Sequence, residues 1–405
     1  MNMIKALKAA LRRTRIDVLL LHLTSNFSRV SVFNDLSITN LRRLCTTPHG
    51  KQLVYKLYDQ RVKNYSFYRA KVYFYSGGDP KTISRDLMTC LEISPHTPKY
   101  IELQLATLEA RGKLTRQEYA DQISFCMREK IYTDEILRRA AIHFESKHEY
   151  QKADETVAIF LKLYGPSLLK GSILLYRPLK ANGYNFSDKE NSERSLLYET
   201  FLDNKYFKVF QKDFLEKSVS IVGNSPIETG RNRGSLIDSS EMIIRFNNFI
   251  ISDRFKEDYG NKVHVWVNSG VSDVEFKDPK SFEFILYTND ITTRSLTNDM
   301  IKNLYLQCVH SKPSVLKEEI FSAIKDRHGV LILSAGVKLA WLAKLNHKNL
   351  NSSLYGFSLI DQLRSQKQRH YFQTPNRSRL HGSSHNWSTE RKILNELLEE
   401  KSHEK

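Results

Sequence analysis

Long hydrophobic runs are missing from this 405-residue sequence. The longest near the start, Val18 to Leu21, is bounded by Asp17 and His22, far short of the ~20 apolar residues that span a bilayer. Neither a signal peptide nor a membrane anchor is expected. Cysteine is scarce as well. Cys45, Cys90, Cys126 and Cys308 are widely spread, with no CxxC or metal-ligand spacing. That pattern points to reduced thiols in a cytoplasmic protein and away from a disulfide framework or a structural zinc site.

What the sequence does have is enough apolar material for a sizeable core and an uneven positive charge. Hydrophobic residues make up 40% of the chain and aromatics 11%, so two or three folded domains are expected at ~150 residues each. The formal net charge is +17. Residues 1–100 contain 17 Lys and Arg against 6 Asp and Glu, a stretch that should attract polyanions. Anionic lipid headgroups, an acidic glycan and nucleic acid satisfy that demand equally, and a solvated basic face with no partner satisfies it too.

Up to about Leu163 the apolar pattern is helical, with amphipathic stretches at Lys99–Arg111, Arg116–Arg128, Asp134–Phe144 and Tyr150–Leu163. Alternate stretches begin about 35 residues apart, which resembles helix-turn-helix repeats of the tetratricopeptide size. Residues 1–180 are therefore expected to form an all-α, repeat-like domain, and the polar stretch 181–204 a linker. Beyond it, Val219–Val222, Met242–Phe246, Val263–Val267, Phe284–Tyr287, Val330–Leu333 and Leu354–Tyr355 read as buried strands. Val315–Lys325 and Ala335–Asn346 read as helices between them. Such alternation specifies an α/β domain, 205–405, with a mostly parallel sheet covered on both faces.

The first strand runs straight into Gly223, and a polar loop containing Gly230 and Gly234 follows. In open α/β sheets ligands bind beyond the carboxyl ends of strands, where glycine lets the backbone approach phosphate. There is no GxGxxG, so a dinucleotide site is disfavoured, and a strand-glycine turn taken alone is as well explained by structure as by function.

Residues 219–267 contain, in order, VGNS, a glycine loop, IDS, IIRFN and DYGNK. This resembles the large sialylmotif of glycosyltransferase family 29, the sialyltransferases. Leu333-Ser-Ala-Gly336, followed by a helix and then Leu354-Tyr-Gly-Phe357, is similar to the small sialylmotif. Its turn opens a helix whose N–H groups and dipole suit a phosphate. His370-Tyr-Phe-Gln373 is similar to the third motif, and His385-Asn-Trp-Ser-Thr-Glu390 matches the fourth, His-x4-Glu.

The resemblance implies a Rossmann-like GT-A-variant fold and a role for each matched residue. Gly223, Asn224, Ser225 and Asn247 would meet the nucleotide phosphate and ribose; Ser334, Ala335 and Gly336, with Gly356 and Phe357, would cradle the nucleotide. His370 and Tyr371 would steady the leaving phosphate, and His385 would be the general base with Glu390 in support. A neutral imidazole near its ~6.5 reference pKa can take the proton of an acceptor hydroxyl. Oriented donors stabilise the departing phosphate, and a single displacement inverts the anomeric centre. Without the motifs, Asn224 and Asn247 are equally turn caps, Ser334 an ordinary N-cap, and His381 a competitor of His385.

Where a cysteine pair is usual in the family, this sequence has Val219 and, approximately, His347; Gln373 replaces an acid. These departures and the missing anchor lead to the expectation of a bacterial cytoplasmic enzyme, peripheral at the inner membrane through its basic N-terminal region or through other glycan-assembly proteins. Its donor would be a CMP-activated acidic sugar, CMP-sialic acid, CMP-Kdo or another nonulosonate. Its acceptor would be a glycan or glycolipid in capsule or lipooligosaccharide synthesis. No Asp-x-Asp occurs and CMP is a monophosphate leaving group, so neither metal nor cofactor is expected. The alternative is a non-catalytic, nucleotide-binding helical scaffold. Nucleic acid is not expected as a partner, since no RNP, KH or helix-turn-helix DNA-binding signature accompanies the charge.

Overall fold

The computed structural model describes residues 67, 70, 71, 73, 74, 77–112, 117–270, 274–346, 348, 350–357, 371–372 and 386–399. Most of the basic N-terminal quarter, Cys45, His347, His370, Gln373, His381 and His385 lie outside them. The described residues fall into two compact units. One runs up to Thr107 and includes Gly329–Leu331 and Asn386; the other comprises Leu108–His328 and the residues from Ile332 onward.

The first unit holds α1 (Pro80–Ile93) and most of α2 (Pro98–Ala110). Asp79 caps α1, its carboxylate accepting from the Lys81 and Thr82 amides at 3.1 and 3.0 Å. Pro80 sits at the first helical position, where no N–H is needed.

The second unit is α/β. Its helices α3 (Gln117–Arg128), α4 (Asp134–Ser146), α5 (Tyr150–Tyr164), α6 (Tyr176–Ala181), α7 (Asp188–Phe201) and α8 (Lys205–Glu216) precede the sheet. The stretch expected as a linker thus carries α7. Ser187 and Glu190 form a capping box there, satisfying two orphan amides at once. Its buried face includes Glu193 and Arg194 as well as Leu197 and Phe201, and those charges hide the helical period. Fully buried Glu145 of α4 accepts from Arg177 Nε and Nη2 at 2.6 and 2.7 Å and from the Tyr198 hydroxyl, which ties α4, α6 and α7 together.

Six parallel strands follow: β1 (Val219–Val222), β2 (Met242–Phe246), β3 (Val265–Asn268), β4 (Phe284–Tyr287), β5 (Lys312–Val315) and β6 (Leu354–Tyr355), in the order β5-β4-β3-β2-β1-β6. Helices α9 (Gly234–Asp238), α10 (Asp253–Tyr259), α11 (Asn298–His310), α12 (Ser322–His328), α13 (Ala335–Leu345) and α14 (Leu350–Ser353) lie between strands in sequence, and α15 (Trp387–Glu399) comes last. Every residue of β1 to β4 is buried. Since successive side chains point to opposite faces, both faces are covered. One apolar cluster runs from Leu137, Phe160 and Phe201 of the helices to Trp266, Ile285 and Val315 of the sheet.

Two expectations are corrected. Val330–Leu333 is not a strand: Val330, Leu331 and Leu333 are buried, but burial without a ladder reads the same in sequence. The start of Val315–Lys325 is not helical. Instead Lys312–Val315 is the edge strand β5, and the helix α12 begins only at Ser322. Pro313, opposite Ile285, disguises β5, and proline is tolerated in a strand chiefly at such an edge. The outward N–H and C=O of Val315 are both met by the Asn204 side-chain amide, at 2.9 and 2.8 Å. Cys90, Cys126 and Cys308 are free thiols. No helix among the described residues is long and apolar enough to cross a membrane.

Candidate functional site

The strand order places a topological switch between β1 and β6. The chain steps from β1 through β5 in one direction, then crosses to the other side of β1. Ligands of open α/β sheets bind beyond the carboxyl ends of strands at such a point. Here those ends are Gly223 and Gly356. The Gly223 amide donates to the Tyr355 carbonyl at 2.7 Å and the Ser225 amide to the Gly356 carbonyl at 3.1 Å, so the two loops continue the ladder. A Cβ on Gly356 would sit 2.5 Å from the Gly223 carbonyl oxygen, and Gly356 has φ +69°; both facts require glycine. Buried Glu228 accepts from the Gly356 amide at 3.0 Å.

Asn224 and Asn247 meet at the ends of β1 and β2. The Asn224 Nδ2 donates to the Phe246 carbonyl at 2.9 Å, which leaves its Oδ1 buried with no partner among the described residues. The buried Ser225 hydroxyl is in the same position. Asn247 adopts φ +49°, a left-handed conformation that asparagine tolerates better than most residues. Its Oδ1 accepts from the Ser269 amide at 2.9 Å. That orientation leaves its amide N–H groups as the available donors.

Tyr371, the neighbour of His370 in sequence, is pinned from several directions. Its amide donates to the Asn224 carbonyl at 3.0 Å. Its hydroxyl donates to the Ile250 carbonyl at 2.7 Å and accepts from the Ile250 amide at 3.2 Å. The ring stacks on Tyr259 at 4.1 Å, and the Tyr259 hydroxyl in turn donates to the Ser225 carbonyl at 2.8 Å. Arg245, buried in β2, donates to the Lys262 and Tyr259 carbonyls and to the Tyr371 hydroxyl. Burial lowers the Arg245 pKa and raises that of Tyr371, with Arg245 opposing the rise. The Tyr371 hydroxyl is therefore a committed phenol, bracing the loop.

The Ser334 hydroxyl caps α13 by accepting from the Val337 amide at 3.4 Å. Glu390, fully buried, accepts from the Ser334 amide at 3.0 Å. Glu390 thus holds the Ser334 turn, and the N–H groups left at the start of α13 are those of Ala335 and Gly336, which have no helical partner. A Cβ on Gly336 would lie 2.7 Å from the Phe357 ring, and Phe357 meets Phe246 edge-on at 6.2 Å. Lys338, one turn into α13, reaches the Thr288 carbonyl at 2.5 Å and forms an ion pair with Glu318.

The structure therefore gathers Gly223, Asn224, Ser225, Asn247, Gly356, Phe357, Gly336 and Tyr371 about one switch point, with Ser334, Ala335 and Glu390 joined to it through α13. Its supports Glu228, Arg245 and Tyr259 escape a motif-based reading. Only Arg245, a charge inside an apolar strand, gives a signal. An open groove of about 840 Å³, lined by Asn232, Ser235, Asp238 and Lys262 among others, shares none of these site residues. No group of three or more metal-ligating side chains occurs among the described residues.

The family model for glycosyltransferase family 29 (sialyltransferase) matches residues 178–402, more than half of the chain and the whole of this site. No curated protein matches the chain.

Proposed function

Because the chain belongs to glycosyltransferase family 29, we propose that the switch-point site binds the nucleotide of a CMP-activated acidic sugar and transfers the sugar, with inversion, to a glycan hydroxyl. The family makes the chain a sialyltransferase-type glycosyltransferase with a CMP-sugar donor and a glycan acceptor. The observation that carries the site assignment is the paired Gly223 and Gly356 loops, with Asn224 Oδ1 and Ser225 Oγ lacking partners among the described residues beside them.

The chemistry of the free groups divides the work. The Asn247 amide donors and the Ala335 and Gly336 N–H groups suit the phosphate; the Asn224 oxygen, an acceptor, suits a ribose hydroxyl or the cytosine amine. Tyr371 acts as a positioning residue for the loop of His370, and Glu390 for the Ser334 turn. His385 would take the acceptor proton, and His370 would steady the leaving phosphate. A monophosphate leaving group in a nest of amides needs no metal. The donor sugar is sialic acid, Kdo or another nonulosonate, and capsule or lipooligosaccharide synthesis in a bacterium is the setting that these sugars suit. The basic N-terminal quarter would attach the enzyme at an anionic membrane surface; uniform cytosolic distribution of a tagged chain would count against that.

The test is calorimetric binding of CMP to the full chain, with UMP, UDP and GDP as controls. Turnover of CMP-sialic acid and CMP-Kdo, with and without EDTA, then follows. Selective CMP binding and transfer that falls about 10²–10⁴-fold in His385→Ala, with CMP affinity kept, is the expected result. Absence of CMP preference would favour a nucleotide-binding scaffold, and loss of transfer in EDTA would end the metal-free reading.

A further inference from the structure

A cavity of about 370 Å³ opens beside the loops that follow β4 and β5. Tyr119, Arg139 and His143 of the helices line it, with Asp290, Lys317 and Glu319 from those loops. Its volume falls in the range of small-molecule pockets, ~300–1,000 Å³. Asp290 and Lys317 lie beyond the same sheet edge as the switch-point site, three or four strands along. At ~4.8 Å per strand that is about 15–20 Å, the reach of a short oligosaccharide.

Four charged side chains of its wall pair with one another, whereas Lys147, exposed, and Glu319 form no ion pair among the described residues. Lys317 pairs with Asp290 at 3.2 Å. Arg139 pairs with Glu109 and, at 2.8 Å, with Glu135, and the Tyr119 hydroxyl donates to Glu109 at 2.8 Å. The buried polar groups left open in the wall are those of His143 and Glu319. His143 is only 7% exposed. Its ring packs on Tyr119 at 5.3 Å and on Phe144 at 5.7 Å, and neither ring nitrogen has a hydrogen-bond partner among the described residues. Burial, with Lys147 nearby, lowers its pKa to about 4, so the imidazole is neutral and offers one donor and one acceptor. Also in the wall, Oε2 of Glu319 is buried without a partner among the described residues, and burial raises the carboxyl pKa.

An anion entering here would meet Asp290 and Glu109, and a cation would meet Lys317 and Arg139. A sugar hydroxyl, which donates and accepts at once, matches His143 on both counts. Tyr119, Arg139 and His143 also lie outside the matched stretch 178–402, whereas Asp290, Lys317 and Glu319 lie within it. The helices that precede the family region thus complete a pocket on the family sheet.

We propose that this cavity is a distal acceptor subsite that takes the hydroxyls of a neutral sugar unit, with His143 as its specificity-determining contact. The acceptor role rests on the transferase reading above; the sugar site does not.

Saturation-transfer NMR on the full chain, with lactose as the probe and glucuronate as the charged control, tests it alongside calorimetry with CMP. Lactose should give a transfer signal that falls about five-fold in His143→Phe and recovers in part in His143→Gln, as expected for one or two lost hydrogen bonds. Glu319→Leu, also in the cavity wall, should cause a similar fall, and CMP affinity should be unchanged throughout. No lactose signal from wild type, an equal signal from His143→Phe and Glu319→Leu, or a preference for glucuronate would overturn the proposal. The lactose pattern without any CMP binding would uphold the sugar site and sink the donor reading.

Discussion

The two ends of one sheet edge are built in opposite ways. At β1 and β6 the backbone makes the site: Gly223 and Gly356 nearly touch, and carbonyls and amides do most of the holding. At β4 and β5 side chains make it, with Glu318 paired to Lys325 and Lys338, and Asp290 to Lys317. A backbone-built site tolerates little added volume but depends on few charges. A side-chain-built one can be retuned by substitution, and its stability responds to pH. Nucleotide recognition and acceptor choice place those two demands separately, and α13 joins the ends: Ser334 begins it and Lys338 follows one turn later.

The contrast can be broken most forcefully at Gly356. Gly356→Val should cost about 4 kcal/mol of stability, from the left-handed φ and the collision with the Gly223 carbonyl, and should abolish CMP binding. Denaturant midpoints and calorimetry would show it, and a variant that binds CMP normally would mean that the loops are not backbone-limited. A smaller effect is expected at the other end with acid. The folded-state pKa of His143, about 4, lies below the unfolded value near ~6.5, so the unfolded chain binds more protons between them. Stability should therefore fall as pH drops from about 6.5 to about 4, this residue contributing about 3 kcal/mol. His143→Phe should lose that part of the slope, read as the difference between two urea-denaturation series. The neighbouring Lys147, Glu149 and Lys152 remain in both proteins. Smallest is Glu390→Gln, which keeps an oxygen for the Ser334 amide but removes the charge. It should cost about 1 kcal/mol and weaken CMP binding about five-fold, and an unchanged affinity would separate the Ser334 turn from the nucleotide.

The same contrast explains what the sequence discloses. The cradle is legible because a backbone site is written in contiguous letters: VGNS, SAG and YGF each carry their own turn. The cavity around His143 is not, since its residues are scattered from Tyr119 to Glu319 and meet only through tertiary packing. Strands β1, β2, β4 and β6 are apolar runs broken at most by Ser220 or Arg245, whereas β5 is disguised by Pro313 and Ser314. Helix α7 reads as a linker because its start is spent on capping and its buried face holds Glu193 and Arg194. The fourth motif identifies Glu390 but not its partner, because the Ser334 amide lies 56 residues away. His370 and His385 lie outside the described residues, so their roles still stand on the motifs alone.

Asn204 has a consequence beyond the fold. An unpaired strand edge is a template on which another chain can lay a strand of its own. At β5 that template is spoiled twice. Pro313 has no N–H to offer, and the Asn204 amide already occupies both outward groups of Val315, imitating a short piece of neighbouring strand. A residue at the start of a helix thus also stoppers the sheet, and a second copy of the chain finds no free strand template at Val315.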